Sequence, residues 1–100
     1  MRTTEEYIRH ALKILRTLEE FENVRFIILY GSVAEGRATE TSDIDLCIYY
    51  AGTREEGQQF RFLALSELCD DQYDIQIFRN LPLYVQKEVL RGRVLYSPDE

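Results

Sequence analysis

LYGSVAEGRATETSDIDL, residues 29–46, is the most informative segment of this sequence. It begins at the end of an apolar, β-rich run and turns at Gly31-Ser32. After a gap of ten residues, Asp43 and Asp45 stand one residue apart where a second apolar run begins. Close carboxylates repel each other unless a cation lies between them. The stretch therefore predicts two strands that carry a glycine turn and a cation site.

The length and composition fit one small acidic domain. The chain has 100 residues, 45% of them hydrophobic, and a net charge of −6. We therefore expect a single domain over residues 1–100, with one modest core. Because phosphate contacts need clustered Lys and Arg, the acidity argues against direct nucleic-acid binding. It suits a cation site or a basic partner instead.

The apolar runs argue against a membrane-spanning protein, and the cysteines argue against a zinc site. Runs such as Phe26–Tyr30 are far too short to span a bilayer, and no basic-then-apolar signal segment opens the chain. We expect a cytoplasmic protein with no membrane association. Cys47 and Cys69 lie within apolar patterns and form no C-x-x-C pair. They are therefore expected to be reduced core thiols, and a zinc site is disfavoured.

Hydrophobic periodicity predicts three helices and three or four strands. Thr3-x-x-Glu6 is a capping box for the first helix. The expected helices cover 3–21 and 53–69, and a third begins at Pro82. The third helix has Val85, Val89 and Leu90 on its buried side and Gly92 as its C-cap. The expected strands cover 24–30, 42–50, 73–78 and 94–96.

The order of these elements predicts an α/β fold, a small mixed β-sheet packed with α-helices. The connection between the first two strands is too short for a regular crossover helix. Those strands are therefore expected to be antiparallel.

The two carboxylates of the second strand favour a magnesium site. Residues i and i+2 of a strand share a face about 6.6 Å apart, so Asp43 and Asp45 lie side by side. Mg²⁺ prefers oxygen ligands and usually takes one or two carboxylates plus substrate phosphates. A pair of ions bridged by such carboxylates serves in-line displacement at phosphorus. We expect two Mg²⁺ ions here.

A third carboxylate would complete the site, and Asp70, Asp71 and Asp74 are the candidates. Asp70 and Asp71 fall in a polar loop, whereas Asp74 lies within a strand, opposite Ile75 and Ile77. A charge within a strand needs a reason more than a charge in a loop does. Asp74 is therefore the expected third ligand, and it could take the proton from an acceptor hydroxyl.

The glycine turn supplies the phosphate side of the site. Gly31 lets a phosphate approach the backbone without a Cβ in the way. Ser32 offers a hydroxyl and an amide, and a helical turn after it would add free N–H groups. Gly36 permits a tight turn, and Ser42 is expected to cap that turn and order the loop. Gly31, Ser32 and Ser42 are thus the expected nucleotide-binding residues.

These residues resemble the signature of the DNA polymerase beta-like nucleotidyltransferase superfamily, which is Gly31-Ser32, a ten-residue gap and Asp43-x-Asp45. The chain length and the stretches 29–36 and 42–46 resemble its minimal nucleotidyltransferase (MNT) branch, and the resemblance covers most of the chain. It implies Mg²⁺ on Asp43 and Asp45 with Asp74 as the third carboxylate. It also implies that Gly31 and Ser32 hold the triphosphate of ATP, and that a nucleoside monophosphate passes to a hydroxyl with release of pyrophosphate.

The resemblance also implies a partner. Members of the MNT branch often act as antitoxins that bind HEPN-domain ribonuclease toxins and adenylylate a tyrosine on them. This chain lacks the arginine–histidine motif of the toxin, so it would be the antitoxin half. It departs from the family at Tyr30, where phenylalanine is common, and at Val33, where arginine is common. The loss of that arginine is expected to weaken phosphate binding, and Arg37 is the nearby residue that could replace its charge.

Two other functions stay open on the sequence. The chain could neutralise a partner by contact alone, because one small domain leaves little wall to hold a nucleotide base. It could also transfer a nucleotide to a small molecule or to RNA, although no second domain and no basic stripe support that. Self-association and association with another chain are both compatible with the sequence.

Overall fold

The computed structural model describes residues 3–31 and 43–98 of the chain. The predicted site residues Ser32 and Ser42, with Gly36, Val33 and Arg37, lie outside the described residues. The regular elements are α1 (Thr4–Leu15), β1 (Val24–Tyr30), β2 (Ile44–Tyr50), α2 (Arg54–Leu68), β3 (Tyr73–Ile77), α3 (Leu83–Val89) and β4 (Arg93–Tyr96), with short 3-10 helices at Glu19–Asn23 and Phe78–Asn80.

The strands form one mixed sheet in the order β3-β2-β1-β4. β1 pairs antiparallel with both β2 and β4, and β2 pairs parallel with β3. The parallel pair is joined through α2, as a crossover requires. The predicted mixed sheet and the antiparallel first pair are confirmed.

The sheet is covered on both faces. The larger core lies under α1 and α2, and its fully buried members include Leu15, Ile27, Leu46 and Phe60. Because side chains alternate along a strand, the strand residues next to these core residues point to the opposite face of the sheet. There Ile28 and Cys47 pack with Val89 of α3, and Phe26, Tyr30, Phe78, Leu81 and Val85 surround them. The second face carries the candidate site.

The first helix is shorter than predicted. The capping box of Thr3 and Glu6 is present, but α1 ends at Leu15 and not near Phe21. The Thr17 hydroxyl donates to the Ile14 carbonyl over 2.6 Å, and Leu18 is extended with φ −75° and ψ 137°. Periodicity misled here because Leu18 still reaches the core from the turn that follows the helix.

Three predictions about single residues are wrong. Cys69 is exposed, because it is the left-handed C-cap of α2 at φ 51°. Leu90 is 61% exposed, because α3 ends at Val89 and turns the next side chain outward. Gly92 is not the C-cap of α3, which is Leu90. A Cβ at position 92 would instead overlap the carbonyl oxygen of Leu29, so Gly92 permits a close approach to β1.

The other boundaries differ by one or two residues. Among the described residues β2 begins at Ile44, and β3 ends at Ile77. Pro82 is the N-cap of α3 and precedes its first helical residue. Within residues 3–31 and 43–98, each helix is too short or too polar to cross a membrane.

Candidate active site

Three side chains form a row across the second face of the sheet. Tyr30 at the end of β1 is the register partner of Asp45 on β2, and Asp45 is the partner of Asp74 on β3. Directly opposed residues on one face have Cβ atoms about 4.5–5.5 Å apart. The fold therefore brings the predicted Asp45 and Asp74 together, although they are 29 residues apart in the chain.

Asp43 lies just outside this row. It is exposed and precedes β2, whose first amide, that of Ile44, donates to the Gln72 carbonyl over 2.6 Å. Its charge nevertheless acts on Asp45. Asp70, an alternative third carboxylate, accepts the amide of Gln72 at 2.9 Å and so orders the loop before β3. The position of Asp74 within the row favours it over Asp70.

The electrostatics of the row identify Asp45 as the most perturbed carboxylate. Partial burial raises its pKa, and the charges of Asp74 and Asp43 raise it further, to about 6. Burial also raises the pKa of Tyr30, with smaller contributions from Cys47, Asp45 and Asp74. The phenol is therefore protonated at neutral pH. Without a cation between them, the carboxylates of Asp45 and Asp74 repel each other.

Gly31 adjoins Asp45 directly. Its φ is +79°, in the left-handed region, and a Cβ there would overlap Oδ2 of Asp45. The approach of a phosphate to Gly31 stays a prediction, and the neighbour that the structure shows for this glycine is Asp45, which the sequence did not identify. The backbone of position 31 lies against the carboxylate itself. Ser32 and Ser42, the other predicted phosphate ligands, lie outside the described residues.

Gln76 is a polar contact of this site that the sequence analysis missed. Its Nε2 donates to Oδ1 of Asp74 over 3.2 Å. The spacing Asp-x-Gln within a strand could have indicated this contact, because residues i and i+2 share a face.

The donor set is chemically suited to Mg²⁺. Asp43, Asp45 and Asp74 supply only oxygen ligands. Burial raises the pKa of Asp45 most, and the charges of Asp74 and Asp43 add to it, a repulsion that a divalent cation would relieve. No group of three or more His, Cys, Asp or Glu side chains is gathered tightly enough to hold a metal within residues 3–31 and 43–98. Mg²⁺ usually needs only one or two carboxylates, the rest coming from substrate phosphates and water. The carboxylates in the row fit that requirement.

Comparison with known proteins places this geometry in a family. A model of the family described as "Polymerase beta, Nucleotidyltransferase" matches residues 12–100. A candidate protein adenylyltransferase of Methanocaldococcus jannaschii is 34% identical over 74 residues. That match covers 74% of this chain and 56% of the relative, so the chain spans little more than half of the relative's length.

Solved structures share the fold. A chain of a toxin–antitoxin complex with AMP-PNP superposes with a TM-score of 0.68 at 22% identity, over 90% of this chain and 73% of that one. A complex of a tri-AMPylated Shewanella oneidensis HEPN toxin with its MNT antitoxin gives 0.64 at 19% identity, over 97% of this chain and 75% of that one. At these identities the likeness concerns the fold.

Proposed function

Since this chain belongs to the polymerase beta nucleotidyltransferase family, we propose that it transfers AMP from ATP to a hydroxyl of a partner protein. The observation that carries the proposal is the placement of Asp45 in register with Asp74 and directly against Gly31. A carboxylate pair beside a glycine backbone can hold cations next to a phosphate chain. A partly buried carboxylate with a raised pKa, set beside other acidic groups, is typical of a functional site.

Each predicted site residue has a role in this proposal. Asp43, Asp45 and Asp74 would hold two Mg²⁺ ions, which supply charge neutralisation and orientation of the phosphates when bound. Gly31, Ser32 and Ser42 would hold the triphosphate. Asp74 would accept the proton of the acceptor hydroxyl. The acceptor oxygen then bonds to the α-phosphorus, and the bond from that phosphorus to pyrophosphate breaks.

The partner that we propose is a HEPN-type toxin, and the acceptor is a tyrosine on it. Structural neighbours of this chain include an MNT antitoxin in complex with an AMPylated HEPN toxin. The curated relative is a candidate protein adenylyltransferase. Leu83, Tyr84 and Leu90 expose large apolar side chains around α3, which is the kind of surface that binds another protein. Together these features support an antitoxin that binds its target.

The experiment compares the chain with its Asp43→Asn, Asp45→Asn double variant. Both are incubated with α-labelled ATP, Mg²⁺ and the candidate HEPN protein, and label on that protein is measured. Label from the wild-type chain, and none from the double variant, supports the transfer reaction.

Neutralisation of the partner's ribonuclease activity separates transfer from contact. If the double variant neutralises the partner as well as the wild-type chain does and neither protein transfers label, the chain acts by binding alone. Small molecules and RNA offered in place of the HEPN protein test the remaining acceptors.

A further inference from the structure

Gln76 has no role in the proposed chemistry so far. It lies two residues after Asp74 on β3, and strand alternation places both side chains on the face that carries the site. Nε2 of Gln76 donates to Oδ1 of Asp74 over 3.2 Å. An ionised carboxylate only accepts hydrogen bonds, so the amide must present its N–H side to Asp74. The orientation of the Gln76 amide is therefore set by the charge of Asp74.

The residue directly across from Gln76 is uncharged. Its register partner on β2 is Cys47, which is fully buried. Burial raises the pKa of the Cys47 thiol to about 12, so that thiol is neutral at physiological pH. Cys47 packs in turn against Ile28 and Val89. Gln76 is thus a partly buried amide between an apolar cluster and a carboxylate, and it directs its donor to the carboxylate.

We propose that Gln76 positions Asp74 for nucleotidyl transfer, an inference that rests on the proposed function. The terminal torsion of an aspartate is broad, and Asp45 stands in register beside Asp74 and repels it. A hydrogen bond to Oδ1 fixes the plane of the Asp74 carboxylate against that repulsion. The second oxygen then remains for a cation or for the proton of the acceptor hydroxyl.

A positioning role for Gln76 predicts an effect on the rate of the chemical step and little effect on ATP binding. Gln76 contacts a carboxylate that acts on the acceptor, and that carboxylate lies on β3, away from the glycine turn that would hold ATP. Replacement of a residue that orients a metal ligand typically lowers metal affinity or activity by about 10- to 100-fold. Loss of the amide should therefore lower kcat for transfer and, at saturating Mg²⁺, leave KM for ATP within about twofold.

The test is Gln76→Met, which keeps an unbranched side chain of similar length and removes the amide. Transfer from α-labelled ATP to the HEPN protein is measured at several ATP concentrations, together with thermal unfolding. Gln59→Met is the matched control, because Gln59 is an exposed glutamine of α2. We expect kcat to fall about tenfold or more in Gln76→Met and to be unchanged in Gln59→Met.

A binding measurement supplies a readout that needs no turnover. Mn²⁺ is titrated into each variant in the presence of AMP-PNP, and free Mn²⁺ is followed by electron paramagnetic resonance. We expect about tenfold weaker Mn²⁺ binding in Gln76→Met. If the wild-type chain transfers label and Gln76→Met has the same kcat, the inference is overturned, whether or not the variant melts earlier.

Failure of the proposed function has a different signature. If the wild-type chain transfers no more label than the Asp43, Asp45 double variant, the transfer reaction is rejected. The Mn²⁺ titration then tests only whether Gln76 orients Asp74 as a cation ligand. Equal Mn²⁺ affinity of the wild-type chain and Gln76→Met rejects it, and weaker binding by the variant supports it.

Discussion

The backbone of Gly31 lies against the carboxylate of Asp45, so closely that a Cβ at position 31 would overlap Oδ2. This contact joins the end of β1 to β2. Beside it, Tyr30 of β1 and Asp45 of β2 are register partners. Glycine is required at position 31 for two reasons. A Cβ there would overlap Asp45, and the φ of +79° is unfavourable for any residue with a Cβ.

Gly31→Ala is expected to damage both stability and transfer. A left-handed backbone costs a non-glycine residue about 1–2 kcal/mol, and the overlap must push the Asp45 carboxylate aside. We expect the free energy of unfolding to fall by about 1–3 kcal/mol and transfer to fall at least tenfold, on the order that misplacement of a reacting group produces. Denaturant unfolding and label transfer measure the two effects.

The control for that variant is Gly57→Ala in α2. Gly57 lies within a regular helix, where alanine is favoured, and its new Cβ would lie 3.1 Å from Cγ2 of Ile77. The gain in helix propensity and the tight contact should nearly cancel, within about 1 kcal/mol. A loss of transfer in Gly57→Ala equal to that in Gly31→Ala would contradict the account.

The raised pKa of Asp45 predicts a pH-dependent stability in the metal-free protein. The folded state holds the Asp45 proton up to about pH 6, whereas the unfolded chain releases it near its usual value of 3.8. Between these values the folded state binds more protons, so the free energy of unfolding falls as pH rises from about 4 to 6. This contribution is fully present below pH 4 and lost above pH 6.

Asp45→Asn should remove that dependence. Two pKa units correspond to about 3 kcal/mol, but Asp45 is partly exposed and water screens its charge, so we expect a gain of about 1 kcal/mol at pH 7. Urea unfolding of both proteins at pH 4 and pH 7, without divalent cations, measures it. Parallel pH profiles for the two proteins would show that Asp45 is not destabilised by its neighbours.

Mg²⁺ together with AMP-PNP should stabilise the wild-type chain. A ligand that binds only the folded state at 100 times its Kd adds about 2.7 kcal/mol to the free energy of unfolding. We expect thermal unfolding to shift upward with both ligands for the wild-type chain, and much less for the Asp43→Asn, Asp45→Asn variant. An equal shift in the two proteins would exclude these carboxylates as cation ligands.

Gly92→Ala separates stability from chemistry. The new Cβ would overlap the carbonyl oxygen of Leu29 and lie 2.8 Å from Cγ2 of Ile28. Overpacking of this kind typically costs about 1–3 kcal/mol, and it would disturb the pairing of β4 with β1. Because Asp45 and Asp74 lie on β2 and β3, beyond β1 from β4, transfer per folded molecule at low temperature should fall much less than in Gly31→Ala. Normal stability in Gly92→Ala would mean that the β1–β4 approach is looser than described.

The fold was predictable because its local signals agree with one another. The capping box at Thr3, the apolar alternation of β2 and the short connection between β1 and β2 each fix one element or one pairing. The failures lie where helices end. Leu18 and Leu90 have helical spacing, but α1 and α3 stop before them. Cys69 has an apolar neighbourhood in sequence and a left-handed cap in space.

The candidate site was partly predictable. Strand alternation alone identified Asp74 as the aspartate on the same kind of face as Asp45, and the structure places the two in register. The same alternation places Gln76 on the face of Asp74, although only the structure shows that the two side chains are hydrogen-bonded. The contact of Gly31 with Asp45 likewise depends on the turn geometry, which the sequence does not specify.

Transfer of AMP by this chain is distinguished from other phosphoryl transfer by which phosphorus of ATP labels the partner. The HEPN protein is incubated with the chain, Mg²⁺ and ATP labelled at either the α- or the γ-phosphorus. Transfer of AMP keeps the α-phosphorus and releases the γ-phosphorus in pyrophosphate. The account predicts label on a tyrosine of the partner from α-labelled ATP only, and none with the Asp43→Asn, Asp45→Asn variant. Label from γ-labelled ATP, or none from either, would contradict it.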